Sequence, residues 1–370
     1  MATLRGESVD RPPVSFYEIG GWKLDPDDSD PYNVFSGPGW RELIQLAEEE
    51  TDLIRMVHPQ TTPAADNPMT ELRRVETWEQ DGSRFTRVTL DAGDRTLTSL
   101  SRRDRDVATT WELEHLLKTP EDAEAYLRLP DEAFAYDVGV DNLVAAEEDL
   151  GDAGIVMVDY GDPLCIVAGL FSMADYTVLA LTEPALFHCL LQKVAQGLYP
   201  EVETVAREFA GHLWRVVGSE YASPPMLPPR LYSEYASRYT RPMVEAIQQH
   251  GGFARIHSHG RLRDILPEIA AMGPDGLDPL EPPPQGDMTL AELRAQIGRD
   301  TVLFGNIESS EIEGMAPLAF EARVRRAVTD GTAGTGRGFV LMPSACPYGR
   351  NISADVLANY EAMVRAVREV

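Results

Sequence analysis

The segment Arg255-Ile256-His257-Ser258-His259-Gly260 sets two imidazoles two residues apart. In a β-strand residues i and i+2 share a face, so His257 and His259 would converge at the strand's C-terminal end in a geometry that suits a metal ion. The same rings could equally hydrogen-bond backbone at a sheet edge, and the pair alone does not choose. A second strand candidate, Gly276-Leu277-Asp278-Pro279-Leu280-Glu281, ends in a carboxylate just before Pro282-Pro283-Pro284. Adjacent parallel strands would bring Glu281 beside both histidines, the alternative being an acid that caps the following helix or faces solvent. Cys346 lies in Met342-Pro343-Ser344-Ala345-Cys346-Pro347-Tyr348-Gly349-Arg350, a junction too rich in Pro and Gly for a packed segment. Its thiolate could complete four-coordination of such an ion.

Other strand ends offer further polar groups. Asp159 and Tyr160 end one strand candidate, Glu220 and Tyr221 another, and Asn306 a third, while Tyr348 flanks the Cys346 loop. All five, with Tyr348, are candidates to meet a substrate. Glu220 stands out because Gly218-Ser219-Glu220-Tyr221-Ala222-Ser223-Pro224-Pro225 is a polar exit loop with aromatic and proline walls. It is the candidate general base, the alternative being a carboxylate paired with Arg230. Cys165 and Cys189 sit in apolar surroundings and read as small buried hydrophobes.

These residues need a scaffold. From about residue 154 onward, compact apolar runs alternate with longer amphipathic stretches, the pattern of repeated βα units on a parallel sheet or barrel. Strands are expected at Gly154–Tyr160, Leu213–Ser219, Phe253–His259, Gly276–Leu280, Thr301–Asn306 and Gly338–Met342. Helices are expected at Pro184–Gln196, Leu231–His250, Leu262–Ala271, Pro317–Val328 and Ala354–Arg368. Thr119-Pro120-Glu121-Asp122 and Thr289 with Glu292 mark two further helix starts. Residues 70–103 differ: Arg84–Leu90 and Arg95–Leu100 alternate around Asp91-Ala92-Gly93-Asp94, with another turn at Asp81-Gly82, which predicts an antiparallel hairpin.

Composition narrows the function. Against 60 Asp and Glu there are 33 Lys and Arg, a net charge of -27 that repels nucleic acid and anionic membrane surfaces. No stretch reaches the roughly 18 apolar residues of a membrane span, and MATLRGESVDRPP lacks the apolar core of a signal peptide, so a cytoplasmic protein is expected. Three cysteines in 370 residues do not form a disulfide framework.

The approach Gly251-Gly252-Phe253-Ala254-Arg255-Ile256-His257, Gly305 before Asn306, and Cys346 ahead of Asn359 and Tyr360 resemble the uroporphyrinogen decarboxylase superfamily. Its members include zinc-dependent corrinoid and coenzyme M methyltransferases. Thr110-Trp111-Glu112 leading into Lys118-Thr119-Pro120-Glu121-Asp122 is similar to the segment preceding the barrel in that group. The resemblance implies an α/β fold: a (β/α)8 TIM barrel over residues 111–370. Residues 1–110 would form an N-terminal extension carrying the hairpin and packed on the barrel as part of a single domain.

In those methyltransferases, and in a related methionine synthase barrel, zinc is held by a His-x-Cys pair and a later Cys, with a Glu in the synthase. The resemblance therefore implies His257, Glu281 and Cys346 as ligands, with His259 where the Cys of the pair would stand. Replacing that thiolate by a neutral imidazole would leave the site less negative and more Lewis-acidic. The expected activity is methyl transfer between a small substrate and a thiol or corrinoid. Any corrinoid would ride on a separate protein, since no Asp-x-His-x-x-Gly motif is present; a homodimer is left open. The decarboxylase proper grips its polycarboxylate with an Arg-rich N-terminal loop, yet Pro12–Gly21 contains no arginine. A metal-free lyase is thus the second expectation, and a non-catalytic barrel that only binds is the third.

Overall fold

Short β-branched and apolar runs form thirteen strands in the computed structural model, which describes residues 1–369. In chain order they are β1 (Leu53–Val57), β2 (Gln60–Pro63), β3 (Arg73–Gln80), β4 (Ser83–Asp91), β5 (Thr96–Arg103), β6 (Thr110–Glu114) and β7 (Tyr136–Gly139). They continue as β8 (Gly154–Gly161), β9 (Leu213–Val217), β10 (Phe253–His257), β11 (Gly276–Asp278), β12 (Val302–Ile307) and β13 (Phe339–Pro343). Seven of them make one parallel sheet in the order β1-β8-β9-β10-β11-β12-β13. The expected strands from residue 154 onward all appear in it, joined by helices as βα units require.

Residues of both outer strands, Ile54 of β1 and Val340 of β13, share one buried cluster, so this sheet is curled. Met157 of β8 joins a buried cluster with Ile54, Leu213, Val302, Phe304, Val340 and Met342 on the concave side. Their neighbours Val156, Val158, Tyr160, Trp214, Val216, Ile256 and Leu277 join the larger cluster beneath the helices. Period-two alternation with both faces apolar is what a parallel sheet covered by helices on one side and filled on the other demands.

The N-terminal segment ties the two outer strands together. Val14 bridges in parallel to Leu341 of β13, where Ser15 N donates to Leu341 O at 3.0 Å and Leu341 N to Pro13 O at 2.9 Å. Towards the other edge, Asp52 N donates to Val14 O at 2.8 Å, just before β1 begins. The Asp52 carboxylate accepts from Val14 N at 2.9 Å and binds Arg11 at 2.7 Å. Backbone groups that would otherwise face water at the sheet edges are thus engaged.

The expected hairpin is larger than its sequence suggested. β3, β4, β5 and β6 form a four-stranded antiparallel sheet in that order, with Trp78 opposite Phe85 across the Asp81-Gly82 turn. β2 pairs separately with β7. β1 supplies an outer strand to the main sheet, so residues 1–110 contribute to that sheet as well as to the antiparallel layer.

Both capping signals form complete capping boxes, Thr119 with Asp122 and Thr289 with Glu292. The helix expected from Leu262 begins at Leu266, the one expected over Pro317–Val328 runs on to Gly331, and two others differ more. The one starting at Pro184 runs to Glu208, because buried Leu198, Val202, Val205 and Ala206 continue its apolar face past Pro200. The segment expected as one helix over Leu231–His250 divides into a wide-turned stretch, Ser233–Ser237, and an α-helix, Arg238–Gln249. Among the described residues, no single helix is long and apolar enough to cross a membrane.

Candidate functional site

The concave face of the sheet carries charge among its apolar residues. In β9 and β10, Arg215 and Arg255 stand in register with each other and with Asp159 of β8. Arg255 donates from Nε to Asp278 Oδ1 at 2.6 Å and from Nη2 to Oδ2 at 2.9 Å, and both residues are fully buried. Arg215 makes the same two-pronged contact with Asp159, at 2.7 and 2.9 Å, and also donates to the Tyr17 hydroxyl. Such forked pairs are the geometry in which buried guanidinium groups are tolerated. Both interior arginines are therefore already bound by carboxylates.

Two residues further along β10, His257 Nδ1 donates to Asp278 Oδ2 at 2.7 Å. Burial opposes charge on Asp278, but Arg255 and then His257 outweigh it and hold this carboxyl well below the ordinary range. Tyr17 lies against the His257 ring, with centroids 6.2 Å apart.

His259 lies just past the end of β10, where Ser258 N donates to Asp278 O at 2.8 Å and holds the chain beside β11. Its Nδ1 donates to Glu281 Oε1 at 2.7 Å, while Gly260 N donates to Glu281 Oε2 at 2.6 Å. The two imidazoles meet edge to face with centroids 4.6 Å apart. Burial disfavours charge on His259, yet the Glu281 carboxylate prevails and raises its pKa. Burial likewise opposes the charge on Glu281, but the His259 hydrogen bond and charge bring its pKa below the usual value. Each imidazole thus has its Nδ1 fixed by its own carboxylate, leaving Nε2 to act as ligand or base.

Glu220 also faces His259 and adds to the charge that raises it. Its Oε2 accepts from Gly218 N at 3.0 Å. Gly218 has φ 134°, and a Cβ there would meet Asp162 Oδ1 at 2.1 Å, so this turn needs glycine. Asp162 is fully buried, accepts from Cys165 N and Thr240 Oγ1, and is pushed up to about 7 by that burial.

Glu308 escaped the sequence reading. It follows β12 at a C-terminal strand end and is 6% exposed; Ser344 Oγ donates to its Oε2 at 3.2 Å, while its Oε1 is buried without a partner. Burial first, and then the charge of Glu281, push its carboxyl up to about 7. The Glu308-x-x-Glu311 capping box hid it, because in sequence it reads as an ordinary helix start.

The other expected site residues scatter. Asp159 faces the interior but is bound to Arg215. Tyr160 leaves the opposite face, where its hydroxyl donates to Glu201 Oε2 at 3.2 Å, so it does not face the histidines. Tyr221 packs edge-on to Tyr176 with centroids 5.9 Å apart. The buried Asn306 accepts from Arg323 on its side-chain oxygen at 3.4 Å. Tyr348 is 46% exposed. Cys346 is buried, with its backbone N–H on Glu18 Oε2 at 2.9 Å, and burial followed by Glu18 drives its thiol far up. The charged groups around it are Glu18 and Glu313. Cys189, expected to be buried, is exposed because its position on the Pro184–Glu208 helix turns outward.

As a zinc set, the residues fit in part. The histidine pair has the carboxylate-backed form that metal-binding imidazoles take. Glu281, however, uses both oxygens to hold His259 and Gly260, and Cys346 is turned to Glu18. Among the described residues no three His, Cys, Asp or Glu side chains are grouped to hold a metal ion.

Comparison with known families settles the lineage: the uroporphyrinogen decarboxylase (URO-D) profile matches residues 112–370. The chain belongs to the uroporphyrinogen decarboxylase family. The matched region starts within β6 and contains Asp159, the histidines, Glu281, Glu308 and Cys346, whereas Tyr17 and β1 precede it. No curated protein matches the sequence. Among solved structures, a methyltransferase from Methanosarcina mazei is similar with a TM-score of 0.60 at 15% identity, over 100% of this chain and 96% of that one. At that identity the likeness concerns the fold.

Proposed function

We propose that this URO-D family member is a zinc-dependent methyltransferase that moves a methyl group between a small substrate and a thiol or corrinoid acceptor. The observation that carries this reading is the pair of imidazoles at the C-terminal strand ends, each with its Nδ1 on its own carboxylate. In this reading His257 and His259 would hold the metal through Nε2, and Glu281 and Cys346, the further donors that the resemblance implies, would have to turn from Gly260 and Glu18 to join them. A zinc ion bound there would lower the pKa of a thiol or hydroxyl nucleophile. Asp278 and Glu281 fix the tautomer and direction of the rings. Glu220 takes the proton that the nucleophile gives up. Tyr17 covers His257 from the N-terminal side and limits water there. In the same reading the Pro12–Ser15 segment, bridged to Leu341 through Val14, would serve as the eighth strand of a (β/α)8 barrel. Any corrinoid is supplied by a separate carrier protein.

The two forked Arg–Asp pairs favour this reading over decarboxylation, because Arg215 and Arg255 already have carboxylate partners and a polycarboxylate would have to displace them. The test is zinc content and methyl transfer from methylcobalamin to a small thiol, measured for the intact chain and for His257→Ala and His259→Ala. Near-stoichiometric zinc, lost together with transfer in both variants, is expected. Metal-free protein with undiminished transfer would overturn the zinc assignment, and zinc-loaded protein that transfers no methyl group would overturn the activity.

A further inference from the structure

A second polar constellation lies on the other side of β8. Alternation along the strand sends Asp159 to the concave face and Tyr160 to the helix-covered face, so whatever Tyr160 contacts is separated from the histidines by the sheet itself. Tyr160 borders a cavity of about 420 Å³ between the ends of β1 and β8, the Pro184–Glu208 helix and the β2–β7 ribbon. Aromatic rings of Tyr126, Phe134 and Tyr136 line it, with Leu198 and Ile166.

Two groups make this cavity more than an apolar gap. His58, just past β1, donates from Nδ1 to the Asp159 carbonyl at 2.8 Å and lies 4.9 Å from the Tyr160 ring, so it is held at the rim by backbone. Glu201 projects into the cavity from the helix, and the Tyr160 hydroxyl, donating to Oε2, is its one hydrogen-bond donor among the described residues. No Lys or Arg is among the described residues that line this space; Lys193 stands over the Phe134 ring at 4.9 Å but is held by Asp131 and the Leu129 carbonyl. Burial raises the Glu201 pKa and outweighs the hydrogen bond from Tyr160 and the charge of His58, both of which lower it. A half-buried carboxylate at one side of an aromatic-lined space matches one class of ligand, because an ammonium group pairs with the carboxylate while its apolar body packs among the rings.

We propose that this cavity binds a small primary amine with an aromatic or apolar body, its ammonium on Glu201 and its body among Tyr126, Phe134 and Tyr136. The site is independent of the histidine centre and stands whatever reaction occurs there.

Isothermal titration of the intact chain with phenethylamine, 2-phenylethanol and 3-phenylpropanoate tests it. Phenethylamine is expected to bind, the alcohol to bind at least tenfold more weakly, and the carboxylate not at all. Glu201→Gln should weaken phenethylamine at least tenfold, and Tyr160→Phe, which keeps both ring and carboxylate, should retain it. Should Glu201→Gln fail to fold, Ile166→Trp at the partly exposed rim should block binding without touching the core. Equal binding of all three probes, undiminished binding by Glu201→Gln or Ile166→Trp, or no heat from millimolar phenethylamine would overturn the proposal.

Discussion

His257 and His259 meet edge to face with centroids 4.6 Å apart, yet they lean on different carboxylates, Asp278 and Glu281. The lower carboxylate does more than orient a ring. Asp278 is also the forked partner of Arg255, and all three groups are buried. Asp278→Asn leaves the guanidinium in the interior without a counter-charge, so it is expected to destabilise the fold by about 3–5 kcal/mol. Urea denaturation followed by circular dichroism measures this; a loss below about 1 kcal/mol would mean that Arg255 finds another partner.

The upper carboxylate makes a pH-dependent contribution whose sign is fixed by two opposite shifts. His259 is raised, so its share of stability is complete below its ordinary value of 6.5 and is lost as pH rises through its folded pKa. Glu281 is lowered, so its share is present above its ordinary 4.5 and is lost as pH falls through its folded pKa. The stability difference between the intact chain and Glu281→Gln should therefore be largest between those ordinary values and shrink on either side. NMR titration of the His259 ring in Glu281→Gln should show a downward pKa shift. An unmoved titration would show that the Nδ1 hydrogen bond does not persist in solution. Under the zinc reading, loss of this orienting group should also weaken zinc binding about 10–100-fold.

Much of this was legible from residue order alone. Period-two apolar runs located the parallel strands from residue 154 onward, and Thr119 and Thr289 located two helix starts, because those signals are local. The convergence of His257, His259 and Glu281 followed from the neighbourhood of two strands. What escaped was set by partners distant in sequence. Tyr160 was expected at the mouth with Asp159, but adjacent strand residues point to opposite faces, and only the curl of the sheet decides which faces inward. Cys346 was expected beside the histidines, but Glu18, from 328 positions earlier in the chain, takes its backbone N–H. Val14 has no strand-like neighbourhood of its own, and its pairing to Leu341 becomes visible only once both sheet edges are placed.

The three thiols should react at very different rates. Cys189 is exposed, whereas burial drives the Cys165 and Cys346 thiols up, with Asp162 adding to the effect at the first and Glu18 at the second. Since the thiolate is the nucleophile, an aromatic disulfide reagent at pH 8 should label one thiol quickly and the other two only on unfolding. Cys189→Ser should abolish the fast phase. A fast phase that survives in Cys189→Ser and disappears in Cys346→Ser would show that Cys346 is an activated thiolate rather than a quiescent buried one. Zinc should leave the fast phase unchanged if it engages Cys346 alone.

Glu308 offers the most direct view of how the strand-end carboxylates interact. Its carboxyl titrates near 7 because burial and the neighbouring Glu281 disfavour its charge, and one of its oxygens has no partner. A carboxyl raised in the folded state contributes stability that is fully present below its unfolded value, 4.5, and is lost as pH rises through about 7. Glu308→Gln cannot ionise and can still accept from Ser344, so it should remove this loss. Compared with the intact chain, the variant should gain melting temperature at pH 8 and gain little at pH 5. The same substitution removes a carboxyl that could release a proton near pH 7 from beside Glu281. If Glu308 exchanges a proton with bound substrate, kcat of Glu308→Gln should fall with its limb near pH 7 abolished. If the carboxyl is only a strained helix cap, kcat should be unchanged while the thermal gain at pH 8 remains. Equal melting-temperature changes at pH 5 and pH 8 would show that Glu308 is ionised across that range and that the ring of carboxylates is better solvated than its burial implies.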